Sequence, residues 1–219
     1  WHDNIRRDLL TTGQLARMVK AGDITGLTSN PTIFEQAIGQ TAIYDEALAG
    51  LARQGHRAAE IFDRLAIEDI QAAADVFRPV FERTAGADGY VSIEVAPHYA
   101  RDTAATVKEA KRLWKAVGRP NLMVKIPATR EGLPAIEHSL AEGINVNVTL
   151  IFAIERYREV MNAYLAGLER RLAARKKINA IASVASFFVS RVDTLVDKKL
   201  DEKIKALGAE AGGALTALK

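Results

Sequence analysis

The sequence predicts an α/β fold, a parallel (β/α)8 barrel truncated after about its sixth βα unit. Three observations predict it. Short β-branched or apolar runs alternate with longer stretches of helical periodicity, the pattern of parallel strands joined by helices. Six such runs lie between Trp1 and Ser186. Within them polar residues keep to alternate positions, so one side of each strand faces helices and the other a common axis.

Trp1–Ile5 reads as the remnant of a first strand, because Leu15, Met18 and Val19 form a helical stripe after it and Gly22 closes that helix. Ile24–Asn30 is the second strand, and Pro31 forces Asn30 into an extended conformation at its end. Tyr90–Val95 is the third. Behind it Thr103–Val117 carries Val107, Ala110, Leu113, Trp114 and Val117 on one face, with Asp102 as N-cap and Gly118 as stop. Leu122–Ile126 and Asn145–Ile151 are the fourth and fifth strands. The stretch Glu155–Ala173 repeats the helical stripe through Val160, Tyr164, Leu168 and Leu172. Ala180–Ser186 is the sixth strand, followed by a helix bearing Val192, Leu195, Val196, Leu200 and Ile204, so helices are expected to cover the sheet. An eight-stranded barrel of this TIM type takes about 250 residues in its usual form. Here the tail Ala206–Lys219 is rich in Gly and Ala with no strand pattern, and the chain opens on Trp1. Two strands are missing from the count, so both ends are expected to be cut. An open doubly wound sheet is the competing architecture, but no strand is followed by a Gly-rich phosphate loop.

Composition narrows the function classes. The chain has 219 residues, 48% of them hydrophobic, enough to bury a domain-sized core. With no cysteine, disulfides, thiolate metal sites and a cysteine nucleophile are excluded, and a reducing cytoplasm fits. No apolar run of about 18 residues could span a bilayer, and Trp1–Leu10 is charged, so neither a membrane span nor a signal sequence is expected. The net charge of +3 is modest, and Lys198, Lys199, Lys203 and Lys205 alternate with Asp197, Asp201 and Glu202 as on a solvated face. No basic cluster marks a nucleic-acid partner. His2, His56, His98 and His138 have no paired ligand spacing, so no metal is expected; His98 fits a capping or surface role.

Chemistry gathers on the axis. In Val91–Val95, Ser92 and Glu94 oppose Val91, Ile93 and Val95; in Leu122–Ile126, Lys125 opposes Val124 and Ile126. In Asn145–Ile151, Asn145, Asn147 and Thr149 oppose Val146, Val148 and Leu150. Barrel interiors are normally filled by Val, Ile and Leu, and active sites lie at the strands' C-terminal ends. A buried lysine is costly because desolvation disfavours the ammonium form, and the same desolvation exposes an amine that can condense with a carbonyl. Lys125 is therefore either that nucleophile or one half of an internal ion pair with Glu94. Glu94 is either the other half or the proton shuttle for carbinolamine dehydration. Asn30 reads as a turn residue or a pocket wall. Ser186 at the sixth strand's end and Arg191 near the next helix start read as an anion site or a surface pair.

Six motifs, in order, are Trp1-His-Asp-Asn-Ile-Arg-Arg7, Gly26-Leu-Thr-Ser-Asn-Pro-Thr-Ile-Phe34, Val91-Ser-Ile-Glu-Val95, Val124-Lys-Ile-Pro-Ala-Thr129, Gly143-Ile-Asn-Val-Asn-Val-Thr149 and Ser183-Val-Ala-Ser-Phe-Phe-Val-Ser-Arg191. Together they resemble transaldolases, particularly the longer bacterial form, over nearly the whole chain. The resemblance implies a class I aldolase-like barrel, with residues 1–219 a single domain incomplete at its C-terminal end. It implies transfer of a dihydroxyacetone unit from a ketose phosphate, sedoheptulose 7-phosphate or fructose 6-phosphate, to an aldose phosphate in the pentose phosphate pathway. Sugar phosphates are the partners and no cofactor is implied. By motif position Lys125 is the Schiff-base nucleophile, and Glu94 acts through a water that Thr149 helps to place. Asp3 takes and returns the proton of the C4 hydroxyl. Asn30 and Asn147 hold substrate hydroxyls and the enamine, and Ser186 and Arg191 bind the hydroxyl and phosphate end. The resemblance leaves room for a fructose-6-phosphate aldolase, for the front of a bifunctional transaldolase/phosphoglucose isomerase, and for a non-catalytic barrel fragment. The family places another phosphate-binding arginine and the closing strands after the sixth, and nothing after Leu207 matches them. Open sheet edges are avoided in natural proteins, so a longer polypeptide or a partner covering the gap is expected.

Overall fold

The six strands form one parallel sheet in chain order, curled into a half-barrel. A computed structural model describes the backbone of residues 1–216 and the side chains of residues 1–206. The strands are β1 (His2–Asp3), β2 (Leu27–Thr28), β3 (Val91–Glu94), β4 (Leu122–Pro127), β5 (Val146–Ile151) and β6 (Ser183–Phe187). Helices α1 (Arg7–Thr11) and α2 (Gln14–Ala21) join β1 to β2; α6 (Thr103–Val117), α7 (Gly132–Glu142) and α8 (Ile154–Ala173) join the strands from β3 onward. Between β2 and β3 the one-helix rule fails. That connection holds α3 (Pro31–Gln40), a 3-10 turn at Ala42–Tyr44, α4 (Asp45–Arg53) and α5 (Ala58–Arg83).

Helix-facing strand residues make the core. Leu27, Val91, Leu122, Val124, Ile126, Val146, Val148 and Ile151 are buried against α5, α6 and α7, which contribute Ile61, Leu65, Ile70, Phe77, Leu113, Ile136 and Leu140. Register then fixes the axis-facing side: Asp3 lies beside Thr28, Thr28 beside Ser92, Glu94 beside Lys125, and Lys125 beside Asn147. The connections are tight where the site needs them. A Cβ at Gly132, where α7 begins, would collide with the carbonyl oxygen of Pro127 at the end of β4.

Several local expectations differ from what forms. β1 and β2 are two residues each; the Trp1 indole packs against Gly26 before β2, and Asn30, still extended, caps α3 after it. Asn145 lies just before the first residue of β5. Its amide donates to the carbonyl oxygens of Pro120 and Leu122 and accepts from Ala182 N–H, sewing three strands together at the opposite end. Strict alternation also stops at Leu150, whose φ is +59° within a register shift between Val148 and Ile151, which leaves Leu150 39% exposed. In α8 the buried face is Val160, Ala163 and Gly167, with Tyr164 at its margin, and Leu172 points outward. The last helix, α9 (Ser190–Thr216), does not cover the sheet as its stripe predicts: Val192, Leu195 and Val196 are exposed. Beside β6 no further strand offers a surface for it among the described residues. Of the tail Ala206–Lys219, residues through Thr216 continue this helix and residues 217–219 lie outside the described residues. No described helix is long and apolar enough to cross a membrane.

Candidate active site

The C-terminal ends of β2 to β5 and the start of α9 surround a cavity of about 370 Å³. Asn30, Glu94, Lys125, Thr149 and Arg191 line it, with Pro31, Ile33, Pro127, Leu150 and Phe188 as apolar wall. A larger groove of about 620 Å³ between α3, α4 and α5 is walled almost wholly by apolar groups and contains no strand-end residue, so none of this chemistry belongs to it.

Lys125 stands at the centre. Alternation along β4 turns its side chain to the axis, where it is 6% exposed. Its Nζ donates to the Ser29 carbonyl oxygen at 3.3 Å and lies 3.6 Å from Glu94 Oε2. Burial pushes the Glu94 carboxyl above the ordinary glutamate range; Lys125 opposes that shift and the charge of Asp3 adds to it. The pair is thus a buried lysine beside a carboxyl that burial helps to keep protonated, within reach for proton exchange as well as for an ion pair.

A hydrogen-bonded set lies beside Lys125 on β5. Asn147, 1% exposed, donates through Nδ2 to Ser92 Oγ at 3.0 Å and accepts through Oδ1 from Ser186 Oγ at 2.9 Å. Its amide is therefore oriented by both neighbours. Thr149 is buried, and its carbonyl oxygen accepts from Ala128 N–H at 2.8 Å, which holds β4 and β5 together at the pocket. Asn30 has two jobs: Oδ1 accepts from Ile33 N–H as the N-cap of α3, with Pro31 in the first turn, and the residue walls the cavity. Arg191 sits in the first turn of α9, its guanidinium 4.5 Å over the Phe188 ring. Among the described residues it has no carboxylate partner.

The structure thus brings Lys125, Glu94, Asn30, Thr149 and Arg191 into one cavity, and joins Asn147, the strand neighbour of Lys125, to Ser186 and Ser92 by hydrogen bonds outside its wall. Asp3 is not in the cavity wall. It lies exposed at the end of β1, and its charge reaches Glu94. His98 is exposed on a 3-10 turn, its ring tilted against that of Tyr99 with centroids 4.0 Å apart. Among the described residues no three His, Asp or Glu side chains converge as metal ligands. Phe188 and Pro127 in the pocket wall and Ser29 beside Lys125 were given no role from the sequence, and Ser92 was placed only on the inward side of its strand. Phe188 had a signal: it lies two residues past Ser186, on the same face by strand alternation, and stacks on Phe152 at 5.1 Å.

Six parallel strands with alternating helices and a buried lysine–carboxyl pair at the strand ends define a truncated TIM-type barrel protein. Comparison with known proteins takes this further. The chain belongs to the transaldolase/fructose-6-phosphate aldolase family, whose model matches residues 1–218. Among its relatives is the transaldolase of Thermobifida fusca, 55% identical over 92% of this chain and 55% of that protein. The transaldolase of Trichodesmium erythraeum is 49% identical over 96% of this chain and 55% of that one. Transaldolase 1 of Streptomyces coelicolor is 51% identical over 98% and 57%. The chain spans about half the length of the curated relatives it matches.

Proposed function

We propose that residues 1–219 belong to one catalytic barrel domain, incomplete at its C-terminal end, that transfers a dihydroxyacetone unit from a ketose phosphate to an aldose phosphate, as part of a cytoplasmic enzyme of the pentose phosphate pathway. The observation that carries the reading is the Lys125 amine, buried and 3.6 Å from the Glu94 carboxylate, inside a cavity that ends on Arg191. Lys125 adds to the ketone carbon to give a carbinolamine. Glu94, through a water placed by Thr149, protonates the leaving hydroxyl, and water departs to leave the protonated imine. Asp3 takes the proton of the C4 hydroxyl, the C3–C4 bond breaks, and its electron pair runs into the imine to give an enamine and an aldose phosphate. The enamine then attacks the acceptor aldehyde, Asp3 returns the proton, and hydrolysis frees Lys125. Every electron pair is held within the imine, so no cofactor enters. Asn30 and Asn147 hold hydroxyls and the enamine, while Ser186 and Arg191 take the hydroxyl and phosphate end. The apolar wall of Pro127, Leu150 and Phe188 shields the enamine from stray protons.

Borohydride reduction with fructose 6-phosphate is expected to fix the sugar on Lys125, and Lys125→Met to abolish the adduct. Label that persists in that variant moves the chemistry to another residue. The family description also names fructose-6-phosphate aldolase, and acceptor dependence of carbon–carbon cleavage separates the two activities.

A further inference from the structure

We propose that Asp69, with Tyr44 and Arg7, forms a positioning cluster that holds Asp3 in register with the Lys125 site; this rests on the role given to Asp3 in the preceding reading. β1 is two residues long and meets β2 over those two residues, so little strand pairing with β2 fixes Asp3. The missing restraint comes from the chain just after it. Four residues beyond Asp3, the backbone N–H of Arg7 donates to the Tyr44 hydroxyl at 2.9 Å. That hydroxyl donates to Asp69 Oδ2 at 2.7 Å, and Arg7 Nε donates to Asp69 Oδ1 at 2.8 Å. The Arg7 guanidinium also lies 4.9 Å over the Tyr44 ring. Both Asp69 oxygens, the phenol and the main chain are thus engaged with one another, and the Arg7 guanidinium also reaches Glu68 Oε2 at 3.1 Å on the surface.

Its placement argues for geometry over stability. Asp69 is the one acid on the buried face of α5, otherwise Ile61, Leu65, Ala66, Ile70, Ala73, Ala74, Phe77 and Val80. Tyr44 is 0% and Asp69 2% exposed. Replacing a buried ion pair with well-packed apolar groups is often neutral or stabilising, so such a pair is poorly explained by stability alone. What it provides here is a fixed main-chain anchor: Ile5 inserts into the core, Arg7 is tied to α5 and the 3-10 turn, and Asp3 is held between that anchor and β2. Proton transfer from a bound hydroxyl tolerates little displacement, and a shift of about 1 Å can cost a hundredfold in rate.

The test uses the order of the chemistry. Imine formation on Lys125 precedes carbon–carbon cleavage, and only cleavage needs Asp3. In the protein as its own gene encodes it, Tyr44→Phe, which removes one hydroxyl, and Asp69→Asn are expected to leave borohydride trapping on Lys125 within about twofold while kcat for cleavage falls about tenfold or more and KM is little changed. In an Asp3→Asn background neither substitution is expected to lower cleavage further, because the cluster acts through Asp3. Equal losses of trapping and cleavage, unchanged cleavage, or losses that multiply in the double variants overturn the cluster's role. Should Asp69→Asn fail to fold, Tyr44→Phe decides alone. Absence of trapping in the unsubstituted protein overturns the functional reading itself, and the positioning role with it.

Discussion

At the scale of single residues, Glu94 links environment to chemistry. Burial raises its pKa, so it keeps its proton at pH values where an exposed glutamate is ionised. Imine formation that needs this proton is expected to slow as pH rises through the raised value, and Glu94→Gln to remove that limb from the trapping rate. The linked effect on folding has a definite sign. A carboxyl with a raised folded-state pKa binds more protons folded than unfolded, so stability falls as pH climbs from the ordinary glutamate value to the raised one. Melting temperatures across that window are expected to show the unsubstituted protein losing stability relative to Glu94→Gln; parallel curves would contradict the assignment. The candidate residues were legible because polar side chains on a buried strand face are conspicuous, as Lys125 and Asn147 are. Asp69 was not, since one acid among the apolar positions of a helix looks like an ordinary surface charge until its partners, far apart in sequence, are seen together.

At the scale of elements, the turn from β2 into α3 separates two roles of one side chain. Asn30 Oδ1 caps the helix, while its Nδ2 has no hydrogen bond among the described residues and is available to a substrate hydroxyl. Asn30→Asp keeps the cap acceptor and loses the donor, so KM is expected to rise with little change in melting temperature. Asn30→Ala loses both and should also cost about 1 kcal/mol of stability. If the two variants melt alike, the cap contributes nothing. Elements with an uninterrupted period were readable from sequence: α6 appears from Thr103 to Val117 with its Asp102 cap, whose side chain accepts from Ala105 N–H. Leu150 was not, because its bulge and left-handed backbone depend on where β6 lies against β5, a contact that no local pattern encodes. Of the three helices between β2 and β3, α5 runs on through Pro79, a residue that usually ends a helix.

At the scale of the whole molecule, strand count and order followed from alternation, whereas covering did not. A helical stripe says that a face is apolar; it does not say that a surface exists to receive it, and α9 shows the difference. The described sheet stops at β6, whose outer backbone groups pair with no strand, while Phe187 and Val189 beside it are 39% and 58% exposed. Such a border is a template for whichever extended segment arrives first. During refolding of this chain, a second copy competes for that border more strongly as protein is added. Recovery of monomer after dilution from urea is expected to drop with rising chain concentration, and a Val189→Lys substitution, which sets a charge at the border, to restore it.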